Sequence, residues 1–187
     1  INDDSLDIDK TLEIILNDKY VDFSFYKPFI KDNCLNFVLE NQQIIKINYS
    51  NFNKDEIKWI GEVDLVLECS GKNTSREEAE FFIKNKTKNV ILSATSWDAD
   101  KTYVFGYNHD ELNLNNKIIS YGSCTVNAYV PLANYINDNY LIINSDVNVI
   151  HNVQDYKLSE SDTLTRRFCT LEKSGPNLLG FLNNKNF

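Results

Sequence analysis

Two apolar segments of strand length, Val63-Asp-Leu-Val-Leu-Glu-Cys and Asn89-Val-Ile-Leu-Ser-Ala, flank a helix-start signal, and this constrains the fold more than any other feature of the chain. Segments apolar almost throughout, rather than at alternate positions, suit strands covered on both faces, the usual condition of a parallel sheet. Parallel neighbours need a crossover between them, and 75–85 supplies a helix for it. Thr74-Ser-Arg-Glu matches a capping box in which the Thr74 oxygen and Glu77 satisfy each other's orphan backbone donors, with Ala79, Phe82 and Ile83 as the buried stripe. Further strands are predicted at 103–107 and 117–121. The fold class is therefore α/β with a mostly parallel sheet.

The segments on either side follow other periods. Ile8, Leu12, Ile15 and Leu16 recur at helical spacing behind the acidic Asp7-Ile-Asp, which suits a helix N-terminus. Leu35, Phe37 and Leu39 alternate, turn at Asn41 and resume at Ile45, Ile47 and Tyr49, the pattern of a β-hairpin. Beyond Cys124, helical spacing returns at Val126, Tyr129, Val130, Ala133 and Ile136. Pro131 inside that run predicts a helix irregular at its start and regular from Pro131 onward. A long strand is expected over 140–153.

Composition excludes several functions. The 187 residues, 42% hydrophobic, suffice for one large domain or one and a fraction. The net charge of −8 comes with no Lys/Arg cluster to track phosphates, so nucleic acid is not expected as a partner. Apolar stretches far shorter than a bilayer span, and no charged-then-apolar leader, predict a soluble cytoplasmic chain without membrane association. Four cysteines stand far apart without C-x-x-C spacing, which predicts reduced thiols and no metal site. The chain has no methionine and opens at Ile1-Asn-Asp, which reads as a processed chain or a fragment.

The chemistry centres on Cys124, in Tyr121-Gly-Ser-Cys-Thr-Val-Asn, and His151, which ends the apolar run 144–151. A free thiol with a pKa of about 8.5 is only a few per cent thiolate at neutral pH and needs activation. A cysteine opening a helix feels the positive end of the dipole and its free N–H groups. If the strand ending at His151 runs back beside that helix, the imidazole can take the thiol proton. By spacing alone the pair is a weak signal, and two isolated structural residues are the simpler explanation.

The order of motifs adds context. Val63-Asp-Leu-Val-Leu-Glu-Cys-Ser-Gly71, Thr74-Ser-Arg-Glu-Glu-Ala79, Val90-Ile-Leu-Ser-Ala94, Gly106-Tyr-Asn-His-Asp-Glu-Leu112, Ser123-Cys-Thr-Val-Asn127 and Val149-Ile-His151 follow one another as in glyceraldehyde-3-phosphate dehydrogenases, which the chain resembles from Ile1 to about His151. The resemblance implies a partial Rossmann-like NAD-binding domain over 1–123, lacking its first strand and Gly-rich turn, followed over 124–187 by the start of an α+β catalytic domain. It implies a glycolytic oxidoreductase: NAD-dependent, phosphorylating oxidation of glyceraldehyde 3-phosphate to an acyl phosphate through a cysteine thioester. Cys124 would be the nucleophile and His151 the base. Asp3 would bind the adenosine ribose, Ser70 and Gly71 would form the turn that approaches the dinucleotide, and Ser93 and Thr95 would line its nicotinamide side. Ser123 and Thr125 would bind substrate phosphate or inorganic phosphate, and a homotetramer is implied. His109 is given no chemical role and reads as structural.

The chain also departs from the family pattern. No Gly-x-Gly-x-x-Gly occurs in it, the second family cysteine is Ala128, Thr95 replaces a proline, and Asn152-Val-Gln stands where a tyrosine-threonine stretch is usual. Leu164-Thr-Arg-Arg167 is similar to a family loop element that reaches a neighbouring subunit, but 168–173 does not continue it. Arg76 is expected on a solvated helix face. Two alternatives stay open: erythrose-4-phosphate dehydrogenase, which uses the same thiol, base and cofactor, and a degenerate non-catalytic homologue retained for binding or assembly.

Overall fold

The computed structural model describes residues 1–18 and 23–147. Two compact units divide the chain, Ile1–Trp59 and Ile60–Phe187.

In the first unit, α1 (Ile8–Leu16) starts where the acidic cluster predicts, with the Asp7 carboxylate accepting the Lys10 N–H at 2.7 Å. Three antiparallel strands follow, β1 (Phe29–Lys31), β2 (Cys34–Val38) and β3 (Ile44–Asn48), arranged in that order. The β2–β3 hairpin matches the alternating pattern, pairing Leu35 with Ile47 and Phe37 with Ile45. Strand β1 is too short to show a period. It forms because Asp32 and Asn33 both adopt positive φ, 52° and 55°, giving a two-residue turn whose twist suits a hairpin. Leu35 is fully buried, and the Tyr49 hydroxyl ties the sheet to the start of α1 by donating to the Leu6 carbonyl at 2.8 Å.

The second unit is built on four parallel strands, β4 (Leu65–Glu68), β5 (Asn89–Leu92), β6 (Lys101–Thr102) and β7 (Ile118–Ser120), in the order β4-β5-β7-β6. The α/β class with a parallel sheet holds. Coverage differs from strand to strand: β7 is buried throughout, whereas β4 buries Val66 and Glu68 and leaves Leu65 and Leu67 43% and 63% exposed. Burial on both faces, expected for β4, is therefore met at β7 instead. In the described sheet β4 is an edge strand, and the helix α2 (Arg76–Glu80) packs on β5 and β7.

Helix α2 is shorter than the periodicity predicts. After Glu80 the chain tightens into i→i+3 bonds, Phe82 N–H to Ala79 and Ile83 N–H to Glu80, and Asn85 at φ 46° ends the run. The capping box is real but one residue further on, formed by Ser75 and Glu78. The expected strand at 103–107 is a turn. Asn108 explains it: its Oδ1 accepts the Val104 N–H at 2.7 Å, its Nδ2 donates to the Thr102 carbonyl at 3.0 Å, and Gly106 takes φ 82°.

Helix α3 (Cys124–Tyr140) is continuous through Pro131, not irregular before it. Ser123 caps it, and Val130 anchors it on Val104, with Tyr107, Val126 and Tyr129 packed alongside. The strand expected over 140–153 is absent from its described part. Tyr140 closes α3, Leu141 turns the chain at φ 56°, and 141–147 forms no strand, while the remainder lies outside the described residues. No described helix is long and apolar enough to cross a membrane.

Candidate functional site

Parallel neighbours deliver their carboxyl ends to one edge of the sheet, where open α/β folds bind ligands. Ser70 and Gly71 follow β4, Ser93 and Thr95 follow β5, and Ser123, Cys124 and Thr125 follow β7. These three strands are adjacent, so seven of the nine residues singled out in the sequence share that edge. Asp3 is in the other unit, and His151 lies outside the described residues, as do Arg166 and Arg167.

The turn after β7 is fixed by several bonds. Tyr121 donates its N–H to the Leu92 carbonyl at 2.9 Å. Gly122 has φ 73°, and a Cβ there would stand 3.0 Å from Val126 Cγ1, so both conformation and space demand glycine. Ser123 is extended, and its Oγ accepts the Val126 N–H at 3.1 Å as the cap of α3. Asn127 Nδ2 closes the turn from the helix side, donating to the carbonyls of Tyr121 at 2.8 Å and Ser123 at 2.9 Å. Cys124 is thereby the first residue of a 17-residue helix, with its side chain exposed. That end of a helix favours an anion.

The β4 end is organised by Glu68, which is only 6% exposed. Its Oε1 accepts the Ser70 hydroxyl, the Ser70 N–H at 3.3 Å and Asn73 Nδ2 at 3.2 Å, while its Oε2 is buried without a hydrogen-bond partner. Its backbone carbonyl accepts the Ser93 N–H at 2.9 Å, which joins the ends of β4 and β5. Gly71 has φ 70°, and beyond its own chain neighbours no atom lies within 4 Å of where its Cβ would be.

Arg76 is not merely solvated. Its backbone N–H donates to Asp98 Oδ1 and its Nε to the Asp98 carbonyl, both at 2.9 Å, and its guanidinium pairs with Asp100 at 2.5 Å. Asp100 Oδ2 accepts the Lys117 and Ile118 N–H groups at 2.7 and 3.0 Å, and Asp98 Oδ1 also accepts the Ser96 hydroxyl at 3.1 Å. Burial alone would raise the Asp100 pKa, but hydrogen bonds from Ile118, Arg76 and Lys117 with the guanidinium charge together hold it below its ordinary value. The Asp100 hydrogen bond in turn raises Arg76. This clamp fixes the segment after β5 that carries Ser93 and Thr95.

The Asp3 carboxylate shapes its own turn, accepting the N–H and hydroxyl of Ser5 at 2.9 and 2.7 Å and the Leu6 N–H at 3.1 Å. His109 Nδ1 accepts the Gly106 N–H at 3.0 Å, and its ring lies 4.5 Å from that of Phe105, so it stabilises a turn. Sequence reasoning passed over Glu68 and Ser120. The signal for both is a polar residue inside an apolar strand, where burial obliges it to find hydrogen-bond partners.

No family model matches the chain. Curated relatives do. Glyceraldehyde-3-phosphate dehydrogenase of Danio rerio is 32% identical over 158 residues, covering 76% of this chain and 46% of that protein. The enzyme of that name from Cereibacter sphaeroides is 36% identical over 99 residues, covering 53% of this chain and 29% of its own length. Glyceraldehyde-3-phosphate dehydrogenase 2 of Caenorhabditis elegans is 40% identical over 116 residues, covering 61% and 33%. The chain spans less than half the length of these curated relatives. Over the stretch it shares with them, it belongs to the glyceraldehyde-3-phosphate dehydrogenase family.

Proposed function

We propose that the chain carries the thiol-bearing part of an NAD-dependent, phosphorylating glyceraldehyde-3-phosphate dehydrogenase. The observation that carries this reading is Cys124 exposed at the first position of α3, on the edge shared by three parallel strand ends. Cys124 Sγ attacks the aldehyde carbon and forms the C–S bond. His151 takes the proton from the resulting hydroxyl as the carbon is oxidised, leaving the acyl group on Cys124 as a thioester. Inorganic phosphate then displaces the thiolate and carries the acyl group away as an acyl phosphate. Ser123 and Thr125 stand beside the nucleophile as the phosphate-binding hydroxyls.

The same edge suits the nicotinamide end of a dinucleotide, because the missing side chain of Gly71 leaves open space beside the β4 end and Ser93 is exposed at the β5 end. Ser70 and Gly71 would form the turn that approaches the dinucleotide, and Ser93 and Thr95 would line its nicotinamide side. NAD, when bound, supplies the acceptor for the hydride. The protein works in the cytoplasm as a homo-oligomer on a phosphorylated small aldehyde.

Peptide-level alkylation with iodoacetamide tests the reading. Cys124 is expected to react much faster near neutral pH than Cys34, Cys69 or Cys169, and His151→Asn is expected to slow it. Equal rates at all four thiols would defeat the assignment of the nucleophile.

A further inference from the structure

The geometry points to Ser120 as a positioning residue for the Cys124 thiol, acting through the Gly122–Ser123 turn. Ser120 ends β7 and is fully buried. Its hydroxyl donates to the Ala94 carbonyl at 2.8 Å and accepts the Ser96 N–H at 3.3 Å and the Gly122 N–H at 3.1 Å. A hydroxyl has one proton and two lone pairs, and here all three are used. Two of the bonds fix the segment after β5 that contains Thr95, and the third fixes the glycine that sets the path into Ser123 and Cys124. One buried oxygen therefore joins two of the strand ends that form the edge. Neither side can shift without breaking a bond to an atom that holds the other.

Gly122 gives this bond its leverage. The residue sits at φ 73° against Val126, so it has little room, and the N–H held by Ser120 fixes the Tyr121–Gly122 peptide from which the chain turns into the Ser123 cap. Ser123 then engages the Val126 N–H, which fixes the backbone on which Cys124 opens α3. Without the Ser120 hydroxyl, the Ser96 and Gly122 N–H groups and the Ala94 carbonyl each lose a buried partner, and the turn is free to rotate toward other acceptors. Cys124 then loses its fixed alignment with the helix end.

This inference rests on the nucleophile reading of Cys124, and one assay separates the two. In the 187-residue chain, iodoacetamide labelling is followed peptide by peptide at a single near-neutral pH, with exposed Cys69 in the same unit as internal reference. Ser120→Ala is expected to keep its circular dichroism and label Cys124 about tenfold more slowly, since small misplacements of a preorganised group have effects of this order or more. The Cys69 rate should not change, and Ser120→Thr should restore the Cys124 rate. A folded Ser120→Ala chain with an unchanged Cys124 rate would overturn the inference. Should Ser120→Ala fail to fold, Ser120→Thr and Ser120→Val decide it, because they share a shape and differ by the hydroxyl. Fast Cys124 labelling in the threonine chain alone supports the role, and equal rates in the two overturn it. Native Cys124 labelling no faster than Cys69 would defeat the nucleophile reading instead, while the ratio of variant to native rates would still judge Ser120.

Discussion

At Gly122 two independent demands meet, a positive φ of 73° and a Val126 methyl 3.0 Å from where a side chain would begin. A substitution there has to rotate the backbone out of the left-handed region or displace the first turn of α3. Gly122→Ala is therefore expected to cost about 1–3 kcal/mol of stability, the usual range for a non-glycine residue forced into such a position. It should also slow Cys124 alkylation. Urea denaturation reads the first effect and peptide labelling the second, and a variant matching the native chain in both would refute the account of the turn. Cys124 is legible in the sequence because its chemistry is intrinsic to the residue and its neighbours. Ser120 is not, because a serine shows its role only through the three backbone groups folded around it.

Among the elements, α2 and α3 show how local sequence and tertiary context divide the work. The Ser75/Glu78 box and the Ser123 cap are local devices; the box falls one residue from where the sequence places it, and the cap directly precedes the cysteine read as opening a helix. Helix length and the strand at 103–107 were not legible, since Asn108 and the i→i+3 bonds after Ala79 act against the apolar period. Pro131 lies inside α3 and can donate no N–H to the Asn127 carbonyl. Because the helix stays continuous despite that gap, Pro131→Ala is expected to stabilise the chain by about 1–3 kcal/mol, part of the interior proline penalty, read as a higher urea midpoint. A lower midpoint would mean that the proline ring itself packs favourably.

The clamp joining α2 to the strands belongs to the same scale. Asp100 has its pKa held below the ordinary 3.8 in the folded chain, so its contribution to stability is present above the unfolded value and is lost as the pH falls through the folded one. The urea midpoint should therefore drop more steeply between about pH 5 and pH 2.5 in the native chain than in Asp100→Asn, which has no proton to gain. Parallel declines in the two would show that the Arg76–Asp100 pair adds no acid-sensitive stability.

For the molecule as a whole, the parallel sheet and the placement of most candidate residues on one edge followed from segments already visible in the sequence. Strand order β4-β5-β7-β6 and the bare face of β4 did not, because neighbours in a sheet are chosen by packing across long sequence separations. The same edge bears on dinucleotide affinity. Gly61, Gly71, Gly106, Gly122, Gly175 and Gly180 are the chain's glycines, and no three of them have the spacing that brings a pyrophosphate onto a helix N-terminus. The net charge of −8 further opposes an anionic ligand over distances comparable with the Debye length. Taken by itself, the 187-residue chain is expected to bind NAD with a dissociation constant of about a millimolar, equivalent to roughly 4 kcal/mol. Raising the salt from about 0.01 M to about 0.15 M should strengthen that binding by screening the repulsion. Calorimetric titration at the two salt concentrations measures both quantities. Micromolar binding weakened by salt would instead require a cationic or N–H-lined phosphate cradle, and would move the cofactor contacts away from the Ser70–Gly71 turn to residues that have yet to be identified.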